Sequence, residues 1–285
     1  LIAHAGVDGV AFTGSVEVAR LINRALAAKD GPIVPFIAET GGQNAMLVDS
    51  SALPEQVVDD VMLSAFGSAG QRCSALRVLY VQEEIAGRVM ELLRGALQEL
   101  RIGDPRQVST DIGPVIDAAA LESLTRHVER LKGFGRLIGQ APLPAGMGLA
   151  GWYIAPAAYE IDSISRLPGE VFGPILHVIR YAAKDRIRII QEINGTGYGL
   201  TCGIHSRLQQ EAMKMAQQVE AGNVYVNRSM TGAVVGVQPF GGRGISGTGP
   251  KAGGPHYLQR FANEKTITVN TAAVGGDIIL LNASA

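Results

Sequence analysis

Apolar positions along this chain switch repeatedly between unbroken short runs and helical spacing. The run Gly9-Val10-Ala11-Phe12-Thr13 is followed by Gly14-Ser15 and then by Val18, Leu21, Ile22, Ala25 and Leu26, which predicts a strand, a turn and a helix. Residues 33–39 and 45–48 read as two further strands separated by Thr40-Gly41-Gly42-Gln43, and Pro54 opens a helix carried by Val57, Val58, Val61, Met62 and Ala65. That helix stops near Gly67 and Gly70. Beyond it the pattern predicts a strand at 77–81, helices at 83–100 and 118–131, strands at 175–180, 200–205 and 223–226, and helices at 185–193 and 209–219. Strands alternating with helices are the signature of an α/β fold on a mostly parallel sheet. Residues 266–271 alternate like a late strand with too little chain after them for another crossover, so they are expected to pair elsewhere, across a subunit boundary.

Composition narrows the function classes. The 285 residues are 47% hydrophobic, and 25 basic against 26 acidic residues leave a net charge of -1, so no global field recruits nucleic acid or anionic lipid. The apolar stretches, including Ile278 to Leu281, fall far short of the roughly 20 residues that span a bilayer. Glycine stands at 36, well above ordinary usage, and is dense between Gly241 and Gly254. The opening Leu1-Ile2-Ala3-His4 has neither an initiator Met nor the regions of a signal peptide, an opening that reads as a point inside a longer chain. Two cysteines without a secretory signal favour a reducing, cytoplasmic setting over a disulfide framework.

Several residues are candidates for chemistry. Cys73, in Gly70-Gln71-Arg72-Cys73-Ser74, lies between a helix end and a strand, with Arg72 beside it to favour the thiolate; its other reading is a small buried hydrophobe. Cys202 lies inside an apolar strand and reads as packing. Glu39 ends the strand Phe36-Ile37-Ala38-Glu39 just before Gly41-Gly42, which delivers a carboxylate into a crevice where desolvation raises its pKa, as a general base requires; a solvated strand-end glutamate is the alternative. Glu170 and Phe172 sit on a turn framed by Gly169, Gly173 and Pro174. Thr13-Gly14-Ser15 at a helix start offers N–H groups and a hydroxyl to a phosphate, unless Ser15 is only the helix cap. The formal GxGxxG at Gly242-Arg243-Gly244-Ile245-Ser246-Gly247 follows Pro239-Phe240 instead of a strand and is rejected as a dinucleotide fingerprint. His4, His127, His177, His205 and His256 are isolated in sequence, and no metal site is expected.

Together these residues resemble the aldehyde dehydrogenase superfamily through essentially the whole chain. Phe12-Thr13-Gly14-Ser15 is similar to its cofactor-phosphate turn, Glu39-Thr40-Gly41-Gly42 to its general-base motif, Gly70-Gln71-Arg72-Cys73 to its nucleophile motif, and Glu170-Val171-Phe172-Gly173-Pro174 to its nicotinamide-ribose motif, in the family's order and spacing. The segment from Thr231 through Phe240 to Pro255 resembles the aldehyde-anchor region of glutamate-semialdehyde dehydrogenases, and more closely that of the dehydrogenase half of bifunctional bacterial proline-utilisation flavoproteins. Ser229 and Thr231 depart from that pattern by being more polar.

The resemblance implies an aldehyde dehydrogenase-like α/β fold. It divides the chain into the end of a Rossmann-like NAD-binding domain at 1–41, a three-layer catalytic domain at 42–244, a return segment at 245–262, and an oligomerisation strand and tail at 263–285. It also implies NAD-dependent oxidation of L-glutamate γ-semialdehyde, formed from 1-pyrroline-5-carboxylate, to glutamate. Cys73 would form a thiohemiacetal and then a thioester, and Glu39 would activate the water that hydrolyses it. Thr13, Gly14, Ser15, Glu170 and Phe172 would bind NAD, while Ser74, the N–H groups of Gly232 and Ala233, and Phe240 would hold the substrate's carboxylate and stem. FAD would belong to a separate proline dehydrogenase domain outside this chain. A homo-oligomer is implied. The family's oxyanion asparagine, its adenosine-ribose lysine and the first half of its cofactor domain precede the phosphate turn, so the chain alone is expected to be at best feebly active. Three other readings stay open: an aldehyde dehydrogenase of different substrate, a non-catalytic relic of the fold, and a cysteine esterase that needs no NAD.

Overall fold

The computed structural model describes residues 1–144, 151–270 and 282–283. Strand β1 (Val10–Thr13) leads through the Gly14-Ser15 turn into helix α1 (Val16–Ala27), and β1 pairs in parallel with β2 (Phe36–Glu39). Ser15 is the N-cap of α1, its Oγ accepting from Val18 N–H at 3.2 Å. Only Ala19 of α1 is buried, and Val18 and Leu21 stay exposed. The predicted strand at 33–39 shortens to its second half, after Pro35, which cannot donate to a ladder.

The rest of the chain builds a larger sheet, a second short pair of strands and their covering helices. The elements in chain order are β3 (Ala45–Val48), α2 (Pro54–Phe66), β4 (Val78–Gln82), α3 (Glu83–Glu99), α4 (Ala118–Leu131), β5 (Arg136–Gln140), β6 (Ala157–Glu160), β7 (Ile175–Tyr181), α5 (Arg186–Gly195), β8 (Tyr198–Gly199), β9 (Thr201–His205), α6 (Gln209–Gln218), β10 (Asn223–Val226) and β11 (Arg243–Gly244). Seven strands order as β10-β9-β3-β4-β7-β6-β5, and β11 pairs separately with β8. All neighbours in the seven-stranded sheet are parallel except β5 and β6.

Both faces of this sheet are covered, which explains why its strands read as unbroken apolar runs. Met46, Val48, Leu79, Val81, Leu176 and Val178 pack with the stripe Ala86, Val89, Met90, Leu93 and Leu97 of α3 and with α2. The alternate positions Ala45, Leu47, Val78, Tyr80, Ile175 and Ile179 pack against α4, α5 and α6. Strands β5 and β6 were not expected. Their signal is weak because β5 buries only Ile138 and Gly139, and β6 is a four-residue run containing two alanines.

The late alternating segment forms no strand among the described residues of this chain, and its pairing across a subunit boundary is a proposal. Residues 263–270 form no strand, and Ile267 and Val269 are 74% and 69% exposed; Thr271 and most of the proposed tail lie outside the described residues, as does the apolar stretch 278–281.

Candidate active site

Two sheet ends meet at one place. Thr13 and Glu39 stand at the carboxyl ends of the parallel pair β1–β2, while Asn44, Cys73 and Thr201 stand at or before the amino ends of β3, β4 and β9. The crevice beyond the carboxyl ends of parallel strands is where open α/β sheets bind ligands, and here the β1–β2 pair presents that end. Between the two ends lies a cavity of about 880 Å³ lined by Thr13, Gly14, Ser15, Cys73, Ser74, Glu170, Phe172, Ala233 and Phe240, so nine of the eleven residues singled out for chemistry converge. Thr40, Gly41, Gln71, Arg72 and Val235 complete the wall. Gly232 does not line it, although it precedes Ala233 with a φ of 77° in the left-handed region.

Glu39 does not line it either. Its carboxylate is turned into a side niche, where Oε2 accepts from Gly242 N–H at 2.7 Å and Oε1 is buried without a partner. A Cβ on Gly247 would lie 2.6 Å from Oε2, so the glycine-rich segment leaves room for this carboxylate. Burial raises the Glu39 pKa to about 7, against the opposing pull of the Gly242 N–H and the Lys251 ammonium. That segment therefore wraps a carboxylate; its Ser246 is fully buried, with Oγ accepting from Gly199 N–H at 3.0 Å.

The turn at Cys73 is held by two polar side chains that sequence reasoning missed. Ser68, Ala69 and Gly70 carry φ values of 57°, 54° and 65°, an unusual left-handed succession that carries the chain from α2 into the turn at Cys73. The buried Asn44 donates from Nδ2 to the carbonyls of Cys73 at 2.6 Å and Ala75 at 2.9 Å, and its Oδ1 accepts from Thr201 N–H at 3.2 Å. Arg77 is 1% exposed and donates to the carbonyls of Gly70 at 2.6 Å, Arg72 at 3.0 Å and Gly173 at 3.3 Å, and to Glu170 Oε1 at 3.4 Å. Its guanidinium also stands 5.1 Å from the Phe172 ring centroid. An arginine heading an apolar strand was the available signal. The two glycines after Thr40 make this possible: a Cβ on Gly41 would lie 1.7 Å from Glu170 Oε2, and one on Gly42 2.3 Å from Asn44 Oδ1.

The electrostatics correct one expectation. Arg72 spends its Nε on Ser68 Oγ at 2.9 Å, and the cation that favours the Cys73 thiolate is Arg77. Burial, reinforced by the Glu170 carboxylate, nevertheless pushes the Cys73 thiol above its ordinary value. Burial also raises Glu170, against the pull of Arg77 and the Gly42 N–H. Cys202 is fully buried and its thiol is pushed up to about 12, which leaves it inert. Ser15, as the cap of α1, keeps its hydroxyl engaged, so an anion at this helix start would meet backbone N–H groups first. The histidines are not all isolated: His127 and His177 meet across the fold at 2.8 Å.

A model of the aldehyde dehydrogenase family matches residues 1–267. The chain is 52% identical over 266 residues to the bifunctional protein PutA of Klebsiella aerogenes, covering 91% of this chain and 20% of that protein. It is 36% identical over 273 residues to a 1-pyrroline-5-carboxylate dehydrogenase of Geobacillus sp. (strain WCH70), covering 94% of this chain and 52% of that one. A crystal structure of bifunctional proline utilization A superposes with a TM-score of 0.90 at 59% identity over 96% of this chain and 28% of the other. A solved 1-pyrroline-5-carboxylate dehydrogenase gives a TM-score of 0.85 at 34% identity, over 92% of this chain and 50% of the other. The chain thus spans about a fifth of the bifunctional relatives' length and about half that of the 1-pyrroline-5-carboxylate dehydrogenases.

Proposed function

This chain belongs to the aldehyde dehydrogenase family, and from that premise we propose that it supplies the catalytic side of an NAD-dependent dehydrogenase that oxidises L-glutamate γ-semialdehyde to glutamate. The observation that carries this reading is the single cavity joining the Cys73 thiol, the Glu170–Phe172 loop, the start of α1 and the segment at Ala233 and Phe240. The names of the relatives, PutA and 1-pyrroline-5-carboxylate dehydrogenase, support the substrate.

A nicotinamide cofactor fits these residues. The absence of a Cβ at Gly41 leaves the Glu170 carboxylate facing the cavity, where its oxygens would accept from ribose hydroxyls beside the Phe172 ring. The first N–H groups of α1 would receive the phosphates. When bound, the nicotinamide supplies the hydride acceptor.

Cys73 Sγ, once deprotonated, adds to the aldehyde carbon and forms a thiohemiacetal whose oxyanion faces the Cys73 N–H. Loss of hydride leaves a thioester on Sγ. Glu39 then takes a proton from the water that attacks the thioester carbon, and the Cys73 thiolate departs as glutamate is released. For this step the Glu39 carboxylate must leave its niche at Gly242 and turn toward the cavity. Ser74 and the N–H groups of Gly232 and Ala233 would hold the substrate's α-carboxylate, with Phe240 against its methylenes.

Glu39→Gln tests the base. The wild-type hydrolytic rate is expected to rise with pH through about 7, the value at which Glu39 ionises, and the variant is expected to lose that dependence together with about 10²- to 10⁴-fold of the rate. Stability should move the other way. Because the folded pKa of Glu39 stands at about 7 against an ordinary 4.5, the folded state binds the proton more tightly, and stability falls as pH rises through that window. Glu39→Gln should therefore melt higher than wild type at alkaline pH, as thermal unfolding would show; an unchanged pH–rate profile would remove Glu39 from this role.

The 285-residue chain alone is proposed to turn over weakly, because its β1–β2 pair and single helix α1 make only one flank of a cofactor site. NADH formation from 1-pyrroline-5-carboxylate by the purified chain tests this, and robust turnover would overturn it. We place the enzyme in the cytoplasm, on its two free thiols, and as a homo-oligomer, on the family resemblance of its sequence.

A further inference from the structure

Four polar groups that the chemistry above does not use form one line from the surface to the nucleophile turn. Arg130 Nη2 lies 2.8 Å from His127 Nδ1, His127 Nε2 lies 2.8 Å from His177 Nε2, and His177 Nδ1 lies 2.9 Å from the carbonyl oxygen of Arg77. Both rings are buried.

The protons on this line are determined from its two ends. A guanidinium only donates, so His127 Nδ1 is bare; a carbonyl oxygen only accepts, so His177 Nδ1 carries a proton. A neutral imidazole holds one proton, which places it on Nε2 of His127 and leaves Nε2 of His177 bare. The two deductions meet at the central contact as one donor facing one acceptor. Burial holds both rings neutral, with His127 lowered to about 4 and His177 to about 3.

The line ends where position matters. The Arg77 carbonyl accepts twice from His177, through the ladder N–H at 3.1 Å and through Nδ1, and the Arg77 N–H donates to the Asn44 carbonyl at 2.9 Å. The main chain of Arg77 is therefore fixed on both sides, and its guanidinium reaches out from that fixed point to Glu170 and Phe172. Helix α4 supports the same loop a second time, since a Cβ on Gly173 would lie 2.5 Å from the Leu124 side chain. Two buried imidazoles cost more desolvation than two leucines would, and what they add is direction.

We propose that His127 and His177 are positioning residues for the cofactor, which hold Arg77 and, through it, the Glu170–Phe172 loop in binding geometry. This rests on the dehydrogenase reading given above. The experiment uses the intact dehydrogenase, with the Kd for NAD measured by titration calorimetry beside steady-state kinetics. His177→Leu removes the ring's bonds to His127 and to the Arg77 carbonyl, and the loss of the second is expected to raise both Kd and KM for NAD by about tenfold while KM for the aldehyde stays put. His177→Asn, whose Nδ2 sits where Nδ1 did and still donates to the Arg77 carbonyl, should restore most of that affinity. Ile179→Val, a buried change on the same strand, should lower the melting temperature without moving the Kd. Arg130→Met, at the exposed end of the line, keeps the test available if His177→Leu does not fold, and should weaken NAD binding by about two- to fourfold. Unchanged NAD affinity in both His177→Leu and Arg130→Met, or equal weakening in Ile179→Val, overturns the proposal. A wild-type enzyme that neither binds NAD nor oxidises the aldehyde overturns the reading beneath it instead.

Discussion

Cys73→Ala is expected to lower kcat for aldehyde oxidation in the intact enzyme by about 10⁴-fold or more, the scale on which removal of a covalent nucleophile acts. Cys202→Ala should leave kcat within about twofold and cost only roughly 1 kcal/mol of stability for the small cavity it opens. The contrast follows from where the two sulfurs sit. Cys73 lines the cavity, with Arg77 on one side and the carbonyls of its turn tied to Asn44. Cys202 is enclosed in β9, with its thiol pushed up to about 12 and no route to a substrate. Steady-state NADH formation by the two variants separates these outcomes, and equal losses would mean that Cys73 acts through packing alone.

Arg77→Met carries the largest expected cost to the fold. The substitution leaves the Glu170 carboxylate without its cation and the Gly70 carbonyl without its donor, and reduces the carbonyls of Arg72 and Gly173 to the N–H groups of Ala75 and Ile175, all behind a residue that is 1% exposed. Breaking a buried ion pair from one side costs about 3–5 kcal/mol, against a total stability of about 5–15 kcal/mol for a typical domain. Chemical denaturation of the variant should show a midpoint far below wild type. Arg77→Lys keeps the charge but not the planar fork that reaches several acceptors at once, so it should recover part of the stability and little of the activity. If Arg77→Met unfolds at the wild-type midpoint, the four contacts of this side chain are not what holds the turn.

Much of this was legible in the sequence because it is local. Short apolar runs marked β3, β4, β7, β9 and β10, and the stripes of α2, α3 and α4 marked the helices that cover them. The motif residues around Glu39, Cys73 and Glu170 likewise sit on turns that glycine and proline announce. What was not legible is long-range. Asn44 and Arg77 act on main-chain carbonyls contributed by other segments, and no spacing rule relates an arginine to the carbonyl of Gly173 or a histidine on α4 to one on β7. The expectation that Arg72 favours the thiolate fails for the same reason, since adjacency in sequence says nothing about which guanidinium the turn faces.

The central claim, that Cys73 carries the acyl group in an NAD-dependent oxidation of glutamate semialdehyde, is tested most directly by peptide mass spectrometry of the intact Glu39→Gln enzyme, quenched after mixing with 1-pyrroline-5-carboxylate and NAD. The account predicts a glutamyl thioester on the Cys73 peptide that forms only when NAD is present. A thioester that forms equally without NAD, one on Cys202, or no adduct while the wild-type enzyme turns over would contradict it.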